Sequence, residues 1–269
     1  MRDKVKKRVI SAVVLIAITL TCVFLSTATR VLFFAAAGLL CTYELSRNYE
    51  KLGVNCGAWV MYTYIAAQAV LTLCHAGAIA YIACMAGSIY LALTDGILRH
   101  RVSGDGAVYT VMGLAYPGFI FGVMMMIAVS PKWLDTLVLA CLSTWVCDSF
   151  ALFGGKRFGK HRLAPDVSPN KTVEGCICGL ISAIVTGFII YYIPALCKGL
   201  ALWQCVVTCA LASTLGQIGD LAESLIKRMI GVKDFSDLIP GHGGMFDRVD
   251  SLMFSIPTAY FCLFIFSLI

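Results

Sequence analysis

The amino-acid sequence predicts an all-α fold, a polytopic transmembrane helix bundle of about nine spans with a cytoplasmic N-terminus. Of its 269 residues 59% are hydrophobic and 13% charged, whereas soluble domains carry about 25% charged residues. Apolar runs of 16 to 23 residues recur between positions 9 and 269, and a helix needs about 20 such residues to cross a bilayer. The 21 Lys and Arg also fall mostly on one side of those runs.

The spans read as 9–28, 31–46, 58–74, 76–94, 107–129, 134–153, 175–196, 200–219 and 252–269. The first follows five basic residues within positions 2–8. It is expected to be a retained helix rather than a cleaved signal, because its apolar run is long and Ser26-Thr27-Ala28 is only a loose cleavage match. The second is short and contains Glu44, close enough to the span end to reach water. A tight turn near His75 divides the third from the fourth. With the N-terminus inside, alternating loops place 18 basic residues inside and only Arg30, Lys132 and Lys198 outside, the asymmetry expected of cytoplasmic loops. Setting aside the nine basic residues of the last two inside loops still leaves 9 against 3. The expected location is therefore the inner (plasma) membrane, with the C-terminus outside. Eleven of the 13 cysteines lie inside spans without a paired Cys-x-x-Cys framework, so they read as small packing residues.

Positions 1–130 offer spans and short basic loops, and read as a transmembrane scaffold. Positions 131–269 read as a transmembrane catalytic region, because two inside loops there are long, rich in Gly and dense in charge. In the first, Gly154-x-x-x-x-Gly159-Lys160 nearly matches a phosphate-binding loop. It fails because His161 stands where Ser or Thr must hold magnesium, and because a membrane helix precedes it rather than a strand. The basic residues of 156–162 suit phosphates or anionic headgroups equally. Next, Ser168-Pro169-Asn170-Lys171-Thr172 presents hydroxyls, an amide and an ammonium on a Pro-fixed turn. Thr172 reads as a helix N-cap with Glu174 in the first turn, and Lys171 as a ligand group. Asp148, inside the sixth span, is a site candidate because an ionisable group at membrane depth needs a cavity or partner.

The richest segment starts on the eighth span. Asp220, Glu223, Ser224 and Lys227 recur at i, i+3, i+4 and i+7, one helical face. That face continues an apolar span and is expected to line a wet cavity. Asp220 and Asp247 offer hard oxygen ligands for Mg2+. Gly241, Gly243 and Gly244 allow backbone amides to approach an anion, and His242 reads equally as a loop hydrogen-bonding group.

These residues resemble the phosphatidate cytidylyltransferase (CDP-diacylglycerol synthase) family. Its signature, Ser-x-aliphatic-Lys-Arg, four residues, Lys-Asp, then Pro-x-His-Gly-Gly-x-x-Asp-Arg-x-Asp, fits from Ser224 to Asp250 through Lys227, Arg228, Lys233, Asp234, Pro240, His242, Gly243, Gly244, Asp247 and Arg248. Asp148 and Ser168 to Thr172 are similar to the family as well. The resemblance implies transfer of a cytidylyl group from CTP to phosphatidic acid, with Mg2+ required. It implies Asp220 and Asp247 on the metal, Lys171, Lys227 and Arg248 offsetting phosphate charge, and Asp148 and Glu223 positioning ligands. Ser168, Asn170, Arg228, His242, Gly243 and Gly244 would contact substrate. No nucleic-acid partner is expected, and a homodimer stays open.

Two other classes compete. A CDP-alcohol phosphotransferase would carry Asp-Gly-x-x-Ala-Arg with two further spaced Asp, which the sequence lacks. A transporter would place its polar residues at midplane in repeated halves, whereas here they gather at one end of the spans.

Overall fold

The structure, a computed structural model, describes residues 2–98, 104–193, 196, 199–239 and 243–268, with side chains from residue 11. Helices dominate it: α1 (Arg2–Leu25), α2 (Thr27–Lys51), α3 (Ala58–Leu73), α4 (Ala78–Leu98), α5 (Gly104–Gly113), α6 (Ile120–Val129), α7 (Trp133–Phe158), α8 (Val173–Tyr191), α9 (Leu202–Ile230) and α10 (Phe246–Phe266). Among the described residues seven helical segments are long and apolar enough to cross a membrane, and 11–25 and Ala58–Leu73 are shorter apolar helices. The chain is thus a multi-pass membrane protein, and each expected span falls on one of these segments. Only a helix or closed barrel satisfies backbone polar groups in lipid.

Several boundaries differ from the sequence reading for identifiable reasons. The first break comes at Ser26, whose side chain accepts the N–H of Thr29 while the Thr29 hydroxyl accepts the N–H of Ser26. This reciprocal capping starts α2 four residues before its apolar run. The fifth span is not one regular rod. A wide turn over Leu114–Phe119 separates α5 from α6, because Pro117 has no N–H to continue the helical ladder. Positive φ at His75 (52°) makes the tight turn after α3. The stretch after α7 holds a short antiparallel hairpin, β1 (Arg162–Ala164) and β2 (Ser168–Thr172).

The chain divides into two compact units. One comprises residues 1–129 and 230–248, the other 130–229 and 249–269. The signature is therefore shared, its 230–248 part belonging to the first unit.

In the first unit, α2 buries Val31, Cys41, Leu45 and Tyr49. Gly38 lets α6 come close, since a Cβ there would lie 2.9 Å from the Phe121 ring. Phe246, fully buried, stacks on Phe235 with centroids 4.5 Å apart and meets Tyr116 edge-on. Each such aromatic pair contributes on the order of 1 kcal/mol beyond its burial.

In the second unit α7 and α8 form an antiparallel pair held by glycines. A Cβ on Gly154 would lie 2.5 Å from that of Cys178, and one on Gly179 2.8 Å from Cys147 Sγ. Gly154 and Gly155, which follow the expected end of the sixth span at 153, instead continue α7 to Phe158 and allow this approach. Leu139, Ile190, Cys205, Cys209 and Leu263 form the core beneath. The 12 described cysteines are all free thiols, six of them buried.

Candidate active site

The second unit gathers carboxylates and ammonium groups at one end of its helices. Asp220 and Glu223 stand on α9 and Asp250 on α10. One carboxylate oxygen from each lies within 4.8 Å of the other two. Small residues bring the two helices together: a Cβ on Gly219 would sit 2.7 Å from the Asp250 carbonyl and 2.8 Å from the Phe254 ring. With hydrogen there, the α10 backbone can pass close enough to put Asp250 beside Asp220.

Two lysines answer the charge. Lys227, one turn beyond Glu223 on α9, places Nζ 2.5 Å from Glu223 Oε2, and the glutamate is fully buried. Lys171 on β2 places Nζ 2.6 Å from Asp220 Oδ2. Asp148 of α7 is exposed and lies within electrostatic reach of Asp220 and Lys171. Three clustered carboxylates therefore face two ammonium groups, leaving a negative excess that Asp148 increases. An all-oxygen donor set of this kind suits a hard divalent cation.

The hairpin that carries Lys171 is pinned at both ends. Thr172 caps α8 by accepting the Gly175 N–H at 3.1 Å, the role its position predicts. Glu174, in the first turn, accepts the N–H of Lys160 at 3.0 Å and pairs with His161 Nδ1 at 2.6 Å. Arg228 Nε donates to the carbonyl of Val167 at 3.1 Å and so grips the turn between the strands. Ser168 is half-buried and Asn170 exposed on β2.

The remaining signature residues belong to the first unit. Asp247 Oδ2 accepts the N–H of Phe235 at 3.1 Å and of Gly244 at 2.9 Å. That oxygen therefore shapes the Gly-rich turn, and the oxygens clustered in the second unit come from Asp220, Glu223 and Asp250. Gly243 adopts φ +83°, a conformation that favours glycine, and accepts the Ile239 N–H. Arg248 is exposed. His242, like Pro240 and Gly241, lies outside the described residues.

Two acidic residues were underrated by the sequence reading. Asp250 closes the signature and is part of the carboxylate cluster; its position one turn after Asp247 was the available signal. Glu44 does not reach water: it is 1% exposed. An acid in an apolar run was the clue, and only the fold reveals what meets it.

The sequence matches the profile of the cytidylyltransferase family over residues 6–266. It is 38% identical over 159 residues to a phosphatidate cytidylyltransferase of Staphylococcus saprophyticus, covering 59% of this chain and 60% of that protein. The same figures hold for the phosphatidate cytidylyltransferase of Staphylococcus haemolyticus, 38% over 159 residues with 59% and 60% covered. Against that of Bacillus subtilis the identity is 37% over 182 residues, covering 67% of each chain. The match thus spans about three fifths of the length of the staphylococcal relatives.

Proposed function

The chain belongs to the cytidylyltransferase family, and from that premise we propose that it transfers a cytidylyl group from CTP to phosphatidic acid. The products are CDP-diacylglycerol and pyrophosphate, for phospholipid synthesis. The observation that carries this reading is the 37% and 38% identity to proteins named phosphatidate cytidylyltransferase. The acid-and-lysine cluster is the chemistry such a transfer asks for.

A phosphate oxygen of phosphatidic acid forms a bond to the α-phosphorus of CTP, and the bond from that phosphorus to the bridging oxygen breaks. Pyrophosphate leaves with the electron pair. The nucleophile is already an anion, so no Ser, Cys or His need be activated, and catalysis is alignment plus charge stabilisation. Asp220, Glu223 and Asp250 would hold Mg2+. When bound, that ion would offset the charge on the phosphates and orient them. Lys171 and Lys227, paired with Asp220 and Glu223, would turn toward phosphate oxygens. Arg248 is exposed and able to meet a phosphate. Asp148 would orient groups around Lys171, and the Ser168 hydroxyl and Asn170 amide would contact substrate from β2. Arg228 would act on substrate through the hairpin it holds, and Asp247 through the Gly243–Gly244 turn.

The site is proposed to face the cytoplasm, where CTP is found, with phosphatidic acid arriving from the adjoining leaflet. Purified protein given α-labelled CTP, phosphatidic acid vesicles and Mg2+ should place label in the lipid phase. Label that stays in the aqueous phase with folded protein would overturn the reading. Label transfer only from a CDP-lipid to an alcohol would favour a phosphotransferase.

A further inference from the structure

Glu44 is buried within α2 of the first unit, and its carboxylate is met by Ser236 and Met245, which precede α10, and by Phe246, the first residue of that helix. Its Oε1 accepts the N–H of Met245 at 2.8 Å and the hydroxyl of Ser236 at 2.5 Å. Its Oε2 accepts the N–H of Phe246 at 2.8 Å. The start of a helix offers unpaired N–H groups and a positive dipole end, which normally attract an anion from outside. At α10 that place is filled by the protein's own carboxylate.

Gly244 is shaped to the same contact. A Cβ there would stand 2.7 Å from both oxygens of Glu44, so any larger residue would push the carboxylate away. One turn along α2, on the same face, Asn48 Nδ2 donates to the Phe235 carbonyl at 2.7 Å and to the Glu44 carbonyl at 2.7 Å. Asp247 closes the segment from within by accepting the Phe235 and Gly244 N–H groups. The glycine that looked like an anion nest for substrate phosphate is thus a seat for Glu44.

We propose that Glu44, supported by Asn48, is a positioning residue for cytidylyl transfer. Glu44 fixes Ser236, Met245 and Phe246 while Asn48 fixes Phe235, and together they hold the first turn of α10 and thereby the orientation of Asp247 on that turn. The inference rests on the function proposed above. It explains why an acid sits in a span that otherwise reads as scaffold: its charge is satisfied by the signature segment. Substrate phosphate then binds elsewhere, because the Met245 and Phe246 N–H groups are already used.

The test compares wild type with Glu44→Gln and Gly244→Ala. Glutamine keeps the size but turns one acceptor into a donor facing an N–H group. Amide hydrogen exchange at Met245 and Phe246 should rise about tenfold or more, the scale set by losing hydrogen bonds to a charged acceptor. The kcat should fall about tenfold or more in both variants, with KM for CTP nearly unchanged. Because both variants disturb one contact, the double variant should lose little beyond either single one. Faster exchange with wild-type kcat would overturn the positioning role, as would losses that multiply in the double variant. If Glu44→Gln does not fold, Ser236→Ala and Asn48→Ala each remove one anchor, and wild-type exchange and kcat in both would overturn it. Wild type inactive with CTP and phosphatidic acid would instead remove the proposed function, while the exchange data would still report the Glu44 contact.

Discussion

Lys171 Nζ lies 2.6 Å from Asp220 Oδ2, so a residue from a short hairpin meets one from a long apolar helix. The two side chains are 27% and 32% exposed but the Lys171 ammonium itself is buried, so the cost of desolvating it offsets much of its attraction to Asp220. Its value lies in supplying a cation beside a carboxylate cluster. Lys171→Gln should therefore leave thermal unfolding in detergent nearly unchanged while lowering kcat by about a hundredfold, the scale for deleting one electrostatic stabiliser. A variant with normal turnover would remove Lys171 from the site.

The close approach of α9 and α10 depends on Gly219. Its missing side chain faces the Asp250 backbone at 2.7 Å and the Phe254 ring at 2.8 Å, so the backbone contact cannot be relieved by rotating a side chain. Gly219→Ala should cost about 1–3 kcal/mol of stability by overpacking, and should move Asp250 and reduce activity. Gly87→Ala is the control. Nothing stands within 4 Å of a Cβ there, so the better helix propensity of Ala should stabilise α4 by up to about 1 kcal/mol. Unfolding midpoints of the two variants that shift in the same direction would contradict this account.

How much of this was legible beforehand depends on the residue. The helices could be read because lipid demands long apolar runs, and Thr172 because a cap needs a hydroxyl beside a helix start. Asp220, Glu223 and Lys227 could be placed together because helical spacing alone sets their common face. Gly154, Gly155 and Gly244 could not be interpreted, since a glycine in sequence does not say whether it serves a turn or another group's approach. Glu44 was misread for the same reason: its partners lie about 200 residues away in the chain.

Arg228 offers a way to separate substrate contact from scaffolding. Its Nε holds the Val167 carbonyl in the turn between β1 and β2, so Arg228→Ala should loosen the hairpin that carries Lys171. Proteolysis within residues 163–168 should accelerate, and KM for CTP should rise together with a fall in kcat. Unchanged proteolysis with a raised KM would assign Arg228 to substrate contact alone.

The proposed cytoplasmic orientation rests on the sorting of basic residues, 18 against 3. Asp166 is exposed at the tip of the hairpin. Asp166→Cys, in a chain whose other cysteines are replaced, should react with an impermeant maleimide only from the cytoplasmic side. Labelling of intact cells from outside would overturn the proposed topology.

The metal proposal is tested by changing one oxygen at a time. Asp220→Asn and Asp250→Asn keep size but remove a charge from a cluster in which one oxygen of each acid lies within 4.8 Å of the others. A hard divalent cation depends on that charge. Each variant should need much more Mg2+ for half-maximal activity and lose about a hundredfold or more in turnover at limiting Mg2+. Asp247→Asn should behave differently, because its Oδ2 is engaged by two backbone N–H groups. There the amide weakens the turn, so amide exchange at Gly244 should rise and turnover fall without a large change in the Mg2+ requirement. Asp234→Asn is the control, since Asp234 is exposed between α9 and the Gly-rich turn, and its activity should stay within about threefold of wild type, as expected for an exposed charge. Direct Mn2+ binding, followed by paramagnetic relaxation of water, supplies a readout independent of turnover. Wild-type affinity for Mn2+ in Asp220→Asn or Asp250→Asn would place the metal elsewhere. A shift in the Mg2+ requirement of Asp247→Asn as large as theirs would restore Asp247 as a ligand.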